Sequence, residues 1–372
     1  LKPSDAYPTS ATSATSDLAQ LIQQDIAAAG GWIGFDRFMA QALYAPGLGY
    51  YSGARPKFGL MPDGPQGSSD FVTAPEISPL FGQALAAQLA QALQVTGTRT
   101  LWEFGAGTGA LAEQLLQALG DRIDRYCIVD LSGSLAAVQA QRLARWQGKV
   151  EWLQQLPAEF EGVVVGNEVL DAMPVQLLAF DGQAWAERGV VSHGEGFAFE
   201  DRATALRPPL LDSVPGSVTE IHPQAEAFVR TLAQQLKRGA VFLLDYGFPE
   251  AEYYHPQRHG GTLMCHHLHR ADPDPLQLVG EKDITSHVNF TGIALTGQEA
   301  GLTVLGYCNQ ANFLINCGLA ELMEAATLPQ RAMAHRLIAE HEMGELFKVI
   351  GFAAGEEFEA LGFARGDRSH TL

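Results

Sequence analysis

The run Val163-Val164-Val165-Gly166 leads directly into Asn167-Glu168-Val169-Leu170-Asp171-Ala172-Met173-Pro174, so an apolar segment ends on two carboxylates three positions apart. If the second part is a helical turn, Glu168 and Asp171 share one face. Buried acids without a partner are costly, and a bound cation would offset that cost. The alternative is that Asn167 caps the turn while both acids face water. A guanidinium suits the pair, because its planar fork meets carboxylates two bonds at a time.

A second stretch, Leu101-Trp102-Glu103-Phe104-Gly105-Ala106-Gly107-Thr108-Gly109-Ala110-Leu111, reads as a strand end, a glycine turn and the opening of a helix. The alternate glycines Gly105, Gly107 and Gly109 leave no side chain over the turn, so a ligand can lie against backbone amides. The string admits two ligands. Gly105-x-Gly107-x-Gly109 suits an S-adenosylmethionine site, and Gly105-x-Gly107-x-x-Ala110 satisfies the dinucleotide fingerprint. Glu103 favours the first: a carboxylate so close to the turn repels a pyrophosphate, whereas S-adenosylmethionine carries an ammonium and a sulfonium and no phosphate. Asp130, at the end of the next apolar run, is placed to receive ribose hydroxyls from either cofactor, its other role being to cap the helix that follows.

Methyl transfer from a sulfonium to a guanidinium nitrogen is an in-line displacement, in which the protein aligns the lone pair, excludes water and removes a proton. Arginine holds that proton with a pKa above about 12. The two acids could therefore localise charge on the nitrogens that do not react. Candidate bases lie in Cys265-His266-His267-Leu268-His269 and in Asp283-Ile284-Thr285-Ser286-His287-Val288-Asn289-Phe290. These histidines read better as bonding backbone or acids in a lid than as a metal site, since no HExxH or CxxC spacing occurs. Without a GxSxG elbow or a Walker loop, hydrolase and phosphoryl-transfer readings have no motif.

To bring these groups to one sheet edge, strands and helices must alternate. Strands are expected over 99–104, 124–130, 149–153, 161–166 and 240–244, with helices over 110–119, 134–146 and 222–237, which is an α/β pattern with a parallel sheet. The strand over 240–244 ends at Asp245-Tyr246-Gly247, where ligands gather in open sheets. Upstream, residues 1–16 read as a loose tail. A helical and loop cap over 17–95 follows, opening with a helix capped by Asp17. Segments 175–217 and 248–289 read as insertions in a core over 96–310, the second polar and His-rich. Residues 311–372 are expected to form a helical extension that returns to the sheet edge near Phe363, with most of the stretch to Phe352 amphipathic helix.

At 372 residues and 47% apolar content the core is amply supplied. Forty-two acids against 24 bases give a net charge of −18, which disfavours a nucleic-acid backbone and tolerates a basic protein side chain as partner. Four scattered cysteines suggest no disulfide scaffold, so a reducing cytoplasm is the default. No apolar run is long enough to span a bilayer, and no basic-then-apolar leader precedes the first helix.

Together these stretches resemble the S-adenosylmethionine-dependent methyltransferase family that contains the mitochondrial complex I assembly factor 7, a protein arginine methyltransferase, and its bacterial relatives. The resemblance runs through Gly34-Phe35 to Tyr51, Phe71 to Ser78, Glu103 to Gly109, Asn167 to Pro174, Asp245 to Gly247 and Asp283 to Phe290. The glycine loop is shared by many methyltransferases, whereas Asn167-Glu168-x-x-Asp171-Ala172-x-Pro174 is far more particular. The resemblance implies a class I methyltransferase fold, a Rossmann-like, mostly parallel sheet with helices on both faces, and S-adenosylmethionine as donor. For the mitochondrial branch it implies symmetric dimethylation of an arginine in a respiratory complex I subunit, so the expected partner is an arginine-bearing protein, and a homodimer is compatible with it. Carried over by position, Glu103, Gly105, Gly107 and Gly109 line the donor and Asp130 holds its ribose, with Thr73, Leu131 and Asn167 beside them. Glu168 and Asp171 face the acceptor, with Asp245 or His269 near its channel and no metal. Asn289 stands where the family is expected to carry Asp, so no charge-dependent role is given to it. Two rival readings are a donor-binding assembly protein without turnover and an NAD-dependent oxidoreductase.

Overall fold

Seven strands form the main path of the central sheet: β1 (Thr100–Phe104), β2 (Arg125–Val129), β3 (Val150–Leu153), β4 (Phe160–Asn167), β5 (Leu236–Phe248), β6 (Thr303–Asn309) and β7 (Phe347–Ala354), and the two residues Val288–Asn289 add a short eighth beside the end of β5. In the computed structural model, which describes residues 13–53, 72–130, 133–210, 212–268 and 270–372, the seven lie in the order β3-β2-β1-β4-β5-β7-β6. Strands β1 to β5 are mutually parallel, and β7 runs against both its neighbours. The chain steps outward from β1 to β3 and then returns to the other side of β1 with β4. Such a reversal opens a crevice at the C-terminal ends of the strands.

Alternate residues of each strand feed opposite faces. Val163 and Val165 of β4 join the core built with helices Pro79–Thr96 and Ala110–Leu119. Val164 joins the core under helices Pro223–Gln235 and Phe290–Glu299. Because both faces are covered, β4 reads as a continuous valine run rather than an alternating one. Helix Pro79–Thr96 therefore belongs with the sheet, whereas a boundary at residue 95 would assign it to the N-terminal cap.

The C-terminal region departs furthest from expectation. Helices Gln310–Asn316, Leu319–Ala325 and Leu328–Ile338 are present, but 347–354 is strand β7, inserted between β5 and β6. Every residue of β7 is buried, so no period-2 alternation marks it, and a buried strand then resembles a buried helix in sequence. Phe363 lies across β6 and β7, where a Cβ on Gly351 would meet its ring at 2.6 Å and one on Gly306 at 2.3 Å. The paired glycines leave the room that the ring fills.

The first helix runs Ser13–Ala28, so Asp17 lies inside it rather than capping it. Segment 175–217 contributes strands Gln176–Phe180, Trp185–His193 and Gly196–Ala203 to a second, antiparallel sheet with Val218–Ile221 and Ile33–Gly34. The excursion over 248–289 is not irregular throughout: Met264–His267 pairs with Arg270–Asp272 and Asp283–Thr285. Leu18, Phe35, Phe38, Leu177, Cys265 and Ile284 share a third core. The N-terminal helices, the insertion and the excursion thus form one cap over the crevice. Among the described residues no helix is long and apolar enough to cross a membrane.

Candidate active site

A cavity of about 1510 Å³ opens at the C-terminal ends of β1 and β4, beyond the roughly 300–1,000 Å³ of an ordinary small-molecule pocket and so with room for two reactants. Its floor is the glycine turn. Gly105, Gly107 and Gly109 have φ of 64°, 52° and 82°, a region that side chains with a Cβ enter at a cost. Gly105 and Gly107 line the cavity, while Gly109 sits behind them as N-cap of helix Ala110–Leu119. The Gly107 carbonyl accepts a hydrogen bond from Gln139 Nε2 at 2.9 Å, and the same nitrogen donates to Asp130 Oδ2 at 3.1 Å. Asp130 thereby stands beside the turn, in the cavity wall.

Glu103 is buried and receives the Tyr126 hydroxyl at 2.6 Å. Burial pushes its carboxyl up to about 8, against the pull of that hydrogen bond. Thr73 and Asn167 also line the cavity. Arg336 is the only Lys or Arg among the described lining residues, and Glu342 already takes it at 2.6 Å. The described wall leaves no spare cation for a pyrophosphate, while its carboxylates suit hydroxyl and ammonium groups.

The acids after β4 converge by a different route from the one their spacing suggests. Residues 168–171 are not a helical turn. Glu168 takes a left-handed φ of 56°, and its amide donates to the Leu244 carbonyl at 2.9 Å. The next three amides, of Val169, Leu170 and Asp171, all donate to Asp245 Oδ2 at 3.1, 2.8 and 3.2 Å. Asp245 is 1% exposed and lies under the loop rather than in the cavity wall. Its place is therefore that of a support that fixes the loop, not of a group beside the acceptor channel. Burial and the neighbouring Asp171 and Glu168 push its carboxyl up, while the amides pull it down.

With the loop so held, Glu168 and Asp171 both face the cavity. Burial, reinforced by Asp171, pushes Glu168 up to about 8, against hydrogen bonds from Asn167 and the Ala74 amide. Asn167 Nδ2 donates to Glu168 Oε1 at 3.0 Å. Burial likewise pushes Asp171 up to about 6, with the Tyr246 hydroxyl and the Ala172 amide opposing it.

The cap adds groups that were not assigned from sequence. Tyr51 donates to Asp283 Oδ1 at 2.7 Å, and Tyr44 stacks on Tyr51 with ring centroids 5.5 Å apart while donating to the Ala172 carbonyl at 2.8 Å. All three residues line the cavity. The available signal was their presence in the aromatic block before residue 52 and in the block opening at Asp283. His287 also lines the cavity, its ring between Tyr246 and Phe248, and burial pushes it down to about 4, so it is neutral at pH 7. His267 bonds the Glu281 carbonyl at 2.9 Å. Asn289 accepts from the Gly292 amide as N-cap of its helix, a role that Asp fills equally well. Leu131 and His269 lie outside the described residues.

Residues 84–308 match the family model described as "Putative S-adenosyl-L-methionine-dependent methyltransferase". The fold is similar to the crystal structure of a Burkholderia thailandensis protein bound to S-adenosyl-homocysteine, at 49% identity and a TM-score of 0.93, covering 99% of this chain and 100% of that one. The chain is also similar to the mitochondrial protein arginine methyltransferase NDUFAF7 of Xenopus tropicalis, 25% identical over 86% of this chain and 81% of that protein. The Homo sapiens protein of the same name is 26% identical over 76% of this chain and 69% of its own length. The glycine turn, Asp130 beside it and a wall without a spare cation among the described residues all fit the S-adenosyl ligand of the Burkholderia thailandensis structure, and the chain belongs to the family of S-adenosylmethionine-dependent methyltransferases.

Proposed function

We propose that the chain methylates an arginine side chain of a partner protein, with Glu168 and Asp171 holding the guanidinium. The observation that carries this reading is a pair of buried oxygens, Oδ1 of Asn167 and Oδ1 of Asp171, without a hydrogen-bond partner among the described residues. Both residues line the cavity beside Glu168. Such acceptors next to a second carboxylate call for an occupant rich in donors, and a guanidinium offers five N–H groups and no acceptor. The relatives named protein arginine methyltransferases support the same acceptor.

When bound, S-adenosylmethionine supplies an electrophilic methyl on a sulfonium. The turn at Gly105 and Gly107 and the carboxylate of Asp130 would hold that donor. Glu168 and Asp171 then bond two edges of the guanidinium, draw its positive charge toward the nitrogens they hold, and leave the third nitrogen facing the donor. The stacked rings of Tyr44 and Tyr51 offer a flat wall for the guanidinium plane. As the new N–C bond forms and the bond from the methyl to sulfur breaks, the guanidinium must lose a proton, which leaves from a nitrogen that Glu168 holds. Glu168, the acid pushed up to about 8, is a stronger base than Asp171 and accepts it.

The test compares binding with turnover. Glu168→Gln and Asp171→Asn should each keep S-adenosyl-homocysteine affinity within about threefold while transfer to an arginine-containing protein falls by about 10²–10⁴-fold. Undiminished transfer, or donor affinity lost along with activity, would overturn the assignment.

A further inference from the structure

We infer that Glu76 is a positioning residue that ties the glycine turn to Glu168, so that a bound donor sets the acceptor site. The inference rests on Glu168 being an acceptor group, as proposed above. Thr73, Pro75, Glu76 and Ile77, in and beside the short helix Ala74–Ile77, share the cavity wall with Gly105 and Thr108.

One end of this segment grips the donor turn. The Glu76 carboxylate accepts from the Thr108 hydroxyl and from Arg142 Nη1, the latter at 3.0 Å. Arg142 donates to the Thr108 hydroxyl as well and to the Thr108 carbonyl at 3.4 Å, with Glu113 3.6 Å away. The Glu76 side chain is only 14% exposed, so solvent competes weakly for these bonds. Thr108 stands between Gly107 and Gly109, so anything that packs against the turn bears on Glu76.

The other end reaches the acceptor side, where the Ala74 amide lies close enough to the Glu168 carboxylate to pull its pKa down. Ala74 and Glu76 belong to one helical turn and move together. The base of the segment is fixed separately: Gln114 Nε2 donates to the Pro75 carbonyl at 2.7 Å, and Ser78 caps the helix that follows. A segment anchored at its base, with one contact on the donor turn and one on the acceptor acid, transmits a shift at the first to the second. Linkage makes that transmission reciprocal. None of this involves a bond between Glu76 and the acceptor, so its part is to position Glu168.

Amide hydrogen exchange at Ala74 reads the coupling without needing the acceptor. In the full chain, saturating S-adenosyl-homocysteine should slow exchange at Ala74 by about tenfold or more. Glu76→Gln and, independently, Arg142→Met should bind the same ligand within about threefold of the parent, yet show less than about twofold slowing. Equal slowing in the parent and both variants overturns the inference, as does an absence of slowing in the parent. Donor affinity that falls in step with the protection also overturns it, since Glu76 would then be only a donor-site wall. A wrong assignment of the acceptor acids shows itself separately, as unchanged transfer in Glu168→Gln.

Discussion

Binding of a guanidinium should expel a proton from Glu168. In the free protein burial, reinforced by Asp171, pushes Glu168 up to about 8, and burial pushes Asp171 up to about 6. At pH 7 the first is mostly protonated and the second mostly ionised. A cation binds the ionised pair and pulls both values down, so acceptor affinity is full above about pH 8 and falls as pH drops first through 8 and then through 6. With those two values the fraction ionised at both sites falls about a hundredfold from pH 8.5 to pH 6, equivalent to about 3 kcal/mol of binding free energy. At pH 7 about one proton should leave per acceptor bound. In Glu168→Gln only Asp171 still titrates, so release falls to about a tenth of a proton and the pH effect on affinity to about twofold. The assay is calorimetry of an acetylated Gly-Arg-Gly amide binding to protein saturated with S-adenosyl-homocysteine, in two buffers of equal pH and different ionisation enthalpy. No proton release at pH 7, or the same release in Glu168→Gln, refutes the reasoning.

Three further outcomes follow from the same geometry. Asp245→Ala leaves the amides of Val169, Leu170 and Asp171 buried without an acceptor, and should lower unfolding free energy by about 3 kcal/mol or more in a denaturant titration. Asp171→Asn should instead raise the stability of the ligand-free protein at pH 8. A carboxyl with a raised folded-state pKa binds more protons when folded, so its charge costs stability as pH rises from the ordinary carboxylate range through about 6. The melting temperatures of parent and variant should therefore converge near pH 4 and separate above pH 6. Gly107→Ala places a methyl on a residue with φ of 52° and open space around it. Stability should fall by only about 1–2 kcal/mol, while S-adenosyl-homocysteine affinity, read by calorimetry, drops about tenfold or more because the methyl projects toward the ligand.

The donor half of the site was legible because its signal is local. Three alternate glycines after an apolar strand can be read in one window, as can an acid at the end of the next strand. Glu168 and Asp171 were legible as candidates for the same reason, since they follow directly on a buried valine run. Their geometry was not, because nothing in the sequence announces a left-handed backbone at a glutamate. The loop takes its shape from Asp245, more than seventy positions away. A carboxylate at a strand end can face the crevice or turn beneath a neighbouring loop, and the local sequence is the same in both cases. The Tyr51–Asp283 contact joins two segments of the cap that meet only because the N-terminal helices and the excursion share a core. Strand β7 stayed hidden for the opposite reason: burial on both faces removed the alternation that would have marked it.

Transfer itself gives the most direct test. The protein is incubated with methyl-labelled S-adenosylmethionine and an extract of its own organism, and the labelled residue is mapped by mass spectrometry, with Glu168→Gln run in parallel. The expected result is label on an arginine side chain of a protein, absent when the variant is used. Label on a nucleic acid, a small molecule or another amino acid, or undiminished labelling by the variant, contradicts it.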